Sequence, residues 1–294
     1  MQQPRPTGNS KVILFDVNET LLDMSKLKNA LIKAFNNKAA FQQWFGLLLQ
    51  YSLVDTVTNH YHDFRTIGDA ALDMTAAMLQ ERTLKSAEKH KLLALMTELP
   101  AHKDVPEGLK MLSKAGYSLV AFTNSTRSVL DEQLRYADII HYFEQGLSVD
   151  EQRRYKPHPD TYLTAARQAG AEPASTTLIA AHGWDIAGAL HAGLAAGFIA
   201  RKGQTLYPLA PSPTYEGKTL VEVAKQIIDK KAPSGRRSLI FAYDQLADLL
   251  LLQPLHSITF GTEKGDNVRL IIVGAGGKKL GILLMAASKS GPVR

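Results

Sequence analysis

Four short polar clusters carry the side chains best equipped for chemistry: Asp16, Thr123-Asn124-Ser125, Lys156-Pro157 and His182-Gly183-Trp184-Asp185. Between them they supply two carboxylates, an ammonium, an imidazole, and hydroxyl and amide donors. Each follows an apolar run. The first run, Lys11-Val-Ile-Leu-Phe, has the β-branched content of a buried strand and stops abruptly at Asp16, a charge that a strand end does not hold without a task. In an open parallel sheet, ligands are met at the carboxyl ends of strands, so four such clusters in one order point to a common edge. Taken singly, each residue also has a purely structural explanation. Asp16 could be a solvated strand end, Thr20 and Thr123 caps, Lys156 a solvated loop lysine, Trp184 a core residue and Asp185 an N-cap.

The elements that must position these clusters follow from hydrophobic periodicity. From about Leu22 to Glu98 the chain reads as helical, with apolar residues at three- and four-residue intervals in Leu27, Ala30, Leu31, Ala34 and Phe35, and again in Phe41, Trp44, Phe45, Leu48 and Leu49. A helical block of that length is too large for a simple crossover and is expected to be an inserted cap, which would exclude water and supply specificity. From Val105 helix and strand alternate. Pro106 opens a helix that Gly116 ends, Tyr117 to Phe122 is a strand delivering Thr123 and Asn124, and a helix begins near Thr126. A weaker strand spans Gly146 to Val149, Pro159 opens a helix through Ala169, Thr176 to Ala181 is a strand ending at His182, Asp185 starts a helix, and Gly197 to Arg201 is a further strand. This order predicts a parallel, doubly wound sheet.

After Arg201 the chain is loop-like through Pro208, Pro211 and Pro213, with a last core helix over Leu220 to Ile228. The expected organisation is a disordered tail over 1–10, a core over 11–21 and 99–229, a helical cap over 22–98, a linker over 230–237 and a small α+β extension over 238–294. The extension should hold a helix over Ser238 to Leu252 and strands at His256 to Phe260, Asn267 to Val273 and Lys279 to Met285. Its Gly274-Ala-Gly-Gly277 cluster leads into a strand rather than a helix, which favours a hairpin turn over a phosphate loop.

Of the net charge of +6, +5 resides after residue 230, where nine Lys or Arg face four Asp or Glu. The region bearing the four clusters is nearly neutral, which argues against a continuous basic face for nucleic acid. No apolar run approaches the ~18 residues of a membrane span, and the first ten residues do not read as a secretory signal. The absence of cysteine rules out disulfides and thiolate metal sites and fits a cytoplasmic location.

The four clusters, in this order and with a helical insertion after the first, resemble the haloacid dehalogenase superfamily, and Phe15-Asp16-Val-Asn18-Glu-Thr20-Leu-Leu-Asp23 looks most like its type II 2-haloacid dehalogenase branch. The resemblance covers about Lys11 to Ile228. It implies a Rossmann-like core, a helical cap, and an Asp16 that attacks substrate to give an ester later cleaved by water. On that pattern Lys156 keeps Asp16 ionised, Thr20 holds the carboxylate, and Thr123 and Asn124 donate to an anionic substrate or departing halide. Asp185 orients or deprotonates the water, and Tyr162 matches a tyrosine near the site. It also implies a small carboxylate substrate, a homodimer to which apolar cap residues such as Trp44 and Leu48 could contribute, and no cofactor.

Asn18 helps to choose the reaction. Phosphatases of the superfamily carry a second aspartate there to protonate the leaving alkoxide, which Asn18 cannot do. Halide leaves without a proton. Magnesium belongs only to the alternative reading as a phosphatase, and the fourth cluster offers it a single carboxylate, Asp185. Two departures from the dehalogenase pattern stand out. Phe45 follows Trp44 where the branch carries a halide-binding arginine, leaving Arg65, His60 or His62 as replacements, and Ala180-Ala181-His182 replaces serine and asparagine. His182 could position the water, act as a base near neutral pH, or be a buried structural histidine. A catalytically weak binding protein is the third reading.

Overall fold

The computed structural model describes residues 12–229 and the strand segments 258–261, 267–273 and 281–286. The four residues of β1 (Val12–Phe15) are buried on both faces, as the central strand of a covered parallel sheet requires. Around it are β2 (Ser118–Thr123), β3 (Gln145–Ser148), β4 (Thr176–Ala180), β5 (Ala195–Ile199) and β6 (Tyr215–Gly217), in the order β3-β2-β1-β4-β5-β6 and all parallel. The chain winds outward from β1 through β2 to β3, then returns to β4 on the other side. The strand order therefore reverses between β1 and β4, the crevice where doubly wound sheets bind ligands. Register fixes what meets there. Phe15 lies between Ala121 and Ile179, so Asp16 emerges beside the ends of β2 and β4, and its N–H bonds the Ile179 carbonyl at 3.0 Å.

Between β1 and β2 stand α1 (Ser25–Phe35), α2 (Ala40–Thr58), α3 (Phe64–Met78) and α4 (Ser86–Ala94), then α5 (Val105–Lys114), with Pro106 in its first turn and Gly116 at φ +82° just beyond its end. Helices α1 to α4 pack within the same compact unit as the sheet, residues 1–234. Asp63 caps α3 by accepting from the Arg65 and Thr66 N–H groups, and the Trp44 indole N–H of α2 donates to the Gly68 carbonyl of α3 at 2.9 Å. Trp44 and Leu48, offered above as interface residues, are instead buried in this packing. The exposed large hydrophobic side chains of α2 are Tyr51, Leu53, Val54 and Val57.

Helices α6 (Arg127–Tyr136), α7 (Pro159–Gln168), α8 (Gly183–His191) and α9 (Leu220–Asp229) complete the layers. Strand β6 was not anticipated, because a three-residue, half-exposed edge strand after a proline-rich loop has no hydrophobic periodicity to reveal it. The second unit, residues 235–294, contains β7 (Ile258–Gly261), β8 (Asn267–Val273) and β9 (Gly281–Ala286) as an antiparallel sheet in that order. The expected tail, linker, Ser238–Leu252 helix and Gly274–Gly277 turn lie outside the described residues.

Helix α8 approaches the loop before α7 at Gly188, where an added Cβ would stand 2.5 Å from both the Pro157 Cβ and the Tyr162 hydroxyl. Gly188→Ala should therefore lower stability by about 1–3 kcal/mol through overpacking, read as a fall in the urea midpoint.

Candidate active site

Asp16 is buried at the tip of β1, and each of its carboxylate oxygens is hydrogen-bonded. Oδ1 accepts from the Lys156 ammonium at 2.8 Å, while Oδ2 accepts from the Thr20 hydroxyl at 2.6 Å and faces His182 Nδ1 at 3.2 Å. The Thr20 oxygen in turn accepts from the Ala181 N–H at 2.8 Å, tying the loop after β1 to the end of β4. Lys156 reaches in from the loop before α7. It also donates to Asp185 Oδ2 at 2.7 Å and to the Phe122 carbonyl at 3.3 Å, so each of its three N–H bonds has an acceptor. Asp185, in the first turn of α8, takes a hydrogen bond from the Tyr162 hydroxyl on Oδ1 at 2.5 Å.

The electrostatics follow from burial and pairing. Burial alone would raise the Asp16 pKa, but the Lys156 ammonium and the His182 imidazole hold it well below the usual carboxylate range. Burial pulls the Lys156 pKa down, and the two carboxylates outweigh it and push it up. Asp185 goes the other way: burial raises its pKa, against the pull of Lys156 and with the help of the Asp16 charge. Tyr162 is held as a neutral hydroxyl far above its ordinary range by burial and by Asp185.

His182, for which the sequence left three roles open, extends the network. Its Nε2 lies 2.9 Å from Glu19 Oε2, so the ring bridges two carboxylates. Burial would lower its pKa, yet hydrogen bonds to Asp16 and Glu19 lift it to about 9. With acceptors at both ends, both ring nitrogens donate at neutral pH and the side chain is an imidazolium. Trp184 stacks on it with centroids 5.3 Å apart, and Phe45 of α2 lies 5.9 Å away. Glu19 Oε2 also accepts from the Gln204 amide at 3.0 Å, and the Glu19 carbonyl faces His102 Nε2 at 3.1 Å. Glu19 adopts φ +60°, a left-handed conformation that costs a non-glycine residue about 1–3 kcal/mol and that clusters at functional sites.

The clusters thus converge, but several residues do work different from that expected. Thr123 uses its oxygen to accept from the Ser125 N–H at 3.1 Å, shaping the turn after β2. Asn124 Oδ1 accepts from the Lys156 N–H at 3.0 Å, leaving its amide nitrogen without a partner among the described residues. Asn18 gives its oxygen to the Gln133 amide of α6 at 2.9 Å, so it also presents only a donor. Tyr162, expected at the substrate, is instead buried behind Asp185. Asp185, expected at the water, has both oxygens occupied. The Trp184 indole N–H is shielded and without a partner among the described residues.

The proposed stand-ins for the cap arginine are engaged elsewhere: Arg65 with His90, His62 with Asp55, and His60 with the Thr58 carbonyl. Glu19, Gln204 and Gln133 were missed. Glu19 alone left a signal, as a charge inside the first motif. Beside it opens a cleft of about 380 Å³, whose lining includes Lys28, Arg201, Lys202 and Lys218 as well as Asp23.

The model of one protein family matches residues 10–193, described as haloacid dehalogenase-like hydrolase. The chain belongs to that family. An (S)-2-haloacid dehalogenase of Pseudomonas sp. strain CBS-3 is 30% identical over 183 residues, covering 61% of this chain and 79% of the relative. Another, from Pseudomonas sp. strain YL, is 25% identical over 217 residues, covering 73% and 93%. Among solved structures, a dehalogenase superposes with a TM-score of 0.66 at 26% identity over 75% of this chain and 98% of that one. The L-2-haloacid dehalogenase of Xanthobacter autotrophicus with chloropropionic acid covalently bound shares the fold, with a TM-score of 0.69 at 21% identity over 75% and 99%.

Lys156→Met would remove the cation between Asp16 and Asp185, leaving Asp185 with none, and should lower stability by about 3–5 kcal/mol in urea unfolding at pH 7. Because the folded-state pKa of His182 lies above its ordinary 6.5, its contribution to stability is complete below that pH and is lost as pH rises through about 9. Urea midpoints between pH 7 and 10 should show this step in the parent protein and not in His182→Asn.

Proposed function

We propose that this hydrolase cleaves the carbon–halogen bond of small (S)-2-haloacids through an ester on Asp16. The observation that carries the reading is an ionised carboxylate at the tip of β1, shielded from water and held by Lys156, Thr20 and His182. A desolvated carboxylate gripped in one orientation is prepared to attack a carbon centre in line with its leaving group. Asn18 supports halide as that group, since its side chain offers donors and no acid. The free amide hydrogens of Asn124 and Asn18 are suited to the substrate carboxylate and the departing halide, with Phe45 and Trp184 as apolar walls. Lysines around the neighbouring cleft favour the approach of a small anion. The names of the relatives agree with this substrate class.

A magnesium ion does not suit these donors. The Lys156 ammonium lies between the carboxylates of Asp16 and Asp185 that a cation would share, and among the described residues no three His, Asp or Glu side chains are arranged to hold a metal ion. We propose a reaction without a cofactor. We propose further a cytoplasmic enzyme without nucleic-acid partners; among the described residues no helix is long and apolar enough to cross a membrane. The homodimer implied by the resemblance would cover Leu53, Val54 and Val57 of α2.

Chloride release from 2-chloropropionate in the presence of a chelator tests the reaction. Asp16→Asn should abolish it, and one turnover in heavy-oxygen water with excess enzyme should place label in the Asp16 peptide. Magnesium-dependent cleavage of a phosphate monoester with no chloride release would favour the phosphatase reading.

A further inference from the structure

Lys156 can hold Asp16 and Asp185 together only if its own main chain is fixed. A lysine side chain is long and rich in rotamers, and here its ammonium must meet three acceptors at once. Two consecutive N–H groups supply the fixed point, each tied to one side chain. The Lys156 N–H donates to Asn124 Oδ1 at 3.0 Å, just after β2. The Tyr155 N–H donates, also at 3.0 Å, to the hydroxyl of Thr56 near the end of α2, in the insertion between β1 and β2. That hydroxyl spends its own proton on the Ser52 carbonyl at 2.9 Å, which turns its lone pairs outward from the helix.

Tyr155 itself is fully buried against the insertion. Its hydroxyl donates to the His62 carbonyl at 2.6 Å, its ring stacks on Tyr61 with centroids 5.4 Å apart, and Phe64, the first residue of α3, lies 5.8 Å away. Tyr61 is fastened in turn, its hydroxyl donating to Asp150 and its ring lying 5.4 Å from the Arg153 guanidinium. The residue before the lysine is thus seated in α2, α3 and the loop between them.

We propose that Thr56 and Tyr155 are positioning residues for the reaction: the insertion sets where the Lys156 ammonium sits, and through it the rate of ester formation at Asp16. The proposal rests on the reading of Asp16 as a covalent nucleophile.

The effect is expected to be partial. Lys156 holds one oxygen of Asp16, while Thr20 and His182 hold the other, so a shift of the lysine loop loosens half of the grip on the carboxylate. Misplacing a reacting group by about 1 Å can cost about 100-fold in rate, and a smaller displacement costs correspondingly less. If Tyr155 served packing alone, losing the Thr56 hydroxyl would lower stability and change nothing else. Thr75 gives the comparison: it is a buried threonine of α3 whose hydroxyl donates to the Ala71 carbonyl at 2.7 Å, within its own helix.

Two readouts test the proposal. In the free protein, nitrogen-15 NMR of the buried Lys156 ammonium, identified by its loss in Lys156→Arg, reports the seating of the lysine without any reaction. Rapid-quench mass spectrometry with excess enzyme and 2-chloropropionate reports the rate at which alkylated Asp16 peptide appears. Thr56→Val should shift the ammonium resonance, speed its exchange with water, and slow alkylation about tenfold with little change in the half-saturating substrate concentration. Tyr155→Phe, which loses the bond to His62 and keeps the ring, should do the same more weakly. Thr56→Ser keeps the acceptor and should keep both parental values, as should Thr75→Val. Circular dichroism and urea midpoints confirm that the variants fold. A parental resonance and alkylation rate in Thr56→Val, whatever its urea midpoint, overturns the proposal, and so does a Thr75→Val that slows alkylation as much. A shifted resonance with a parental rate overturns the link to ester formation. If the parent protein releases chloride with no alkylated Asp16 at any quench time, the covalent reading fails and that link with it, whereas a resonance shifted by Thr56→Val still upholds the seating of Lys156 by the insertion.

Discussion

One ammonium shared by two buried carboxylates holds this site together. Lys156 holds Asp16 after β1 and Asp185 in α8 at 2.8 Å and 2.7 Å, and also reaches the carboxyl end of β2 through the Phe122 carbonyl. Removing such ions from water costs several kcal/mol each, and the attraction between them recovers that cost only when geometry and the remaining hydrogen bonds are good. Here they are: Thr20, Tyr162 and His182 take up the other lone pairs. The arrangement is thus a constraint on three elements at once, and the topology that places β1 between β2 and β4 is what permits it.

The same cation leaves its two partners in different states. Asp16 is held ionised by Lys156 and by a second cation, His182, whereas Asp185 has a neutral hydroxyl on its far side and its pKa drifts upward. Environments that push two carboxyl groups apart assign them different work. On the proposed reading Asp16 is the reactive group and Asp185 the anchor for the lysine. Beyond Asp16 the polar chain continues through His182 to Glu19 and Gln204, which line a cleft that also holds Lys28, Arg201, Lys202 and Lys218.

Much of this was legible in the sequence, because the motifs are local. A buried strand ending in a charge is visible in Val12 to Asp16, and a strand running into His182 and Asp185 is visible in the same way. Alternating helix and strand from Val105 onward indicated a parallel sheet, and its winding order brings the clusters together. Side-chain direction was not legible. Tyr162 lies near the site in sequence terms but points at Asp185 rather than into open space, and Thr123 spends its oxygen on its own turn. Glu19 was hidden for a different reason: its role depends on a backbone conformation that a glutamate rarely adopts. Gln204 and Gln133 come from distant elements, and no spacing rule links position 204 or 133 to position 16.

Gln133 ties two regions that the chain order keeps apart. Its amide nitrogen donates to Asn18, two residues from Asp16, and at 2.7 Å to the Met96 carbonyl at the end of the helical insertion. One nitrogen on α6 therefore pins the loop after β1 to the stem on which the insertion rejoins the sheet. A side chain with one nitrogen thus shared between two acceptors couples the position of that stem to the orientation of the Asn18 amide.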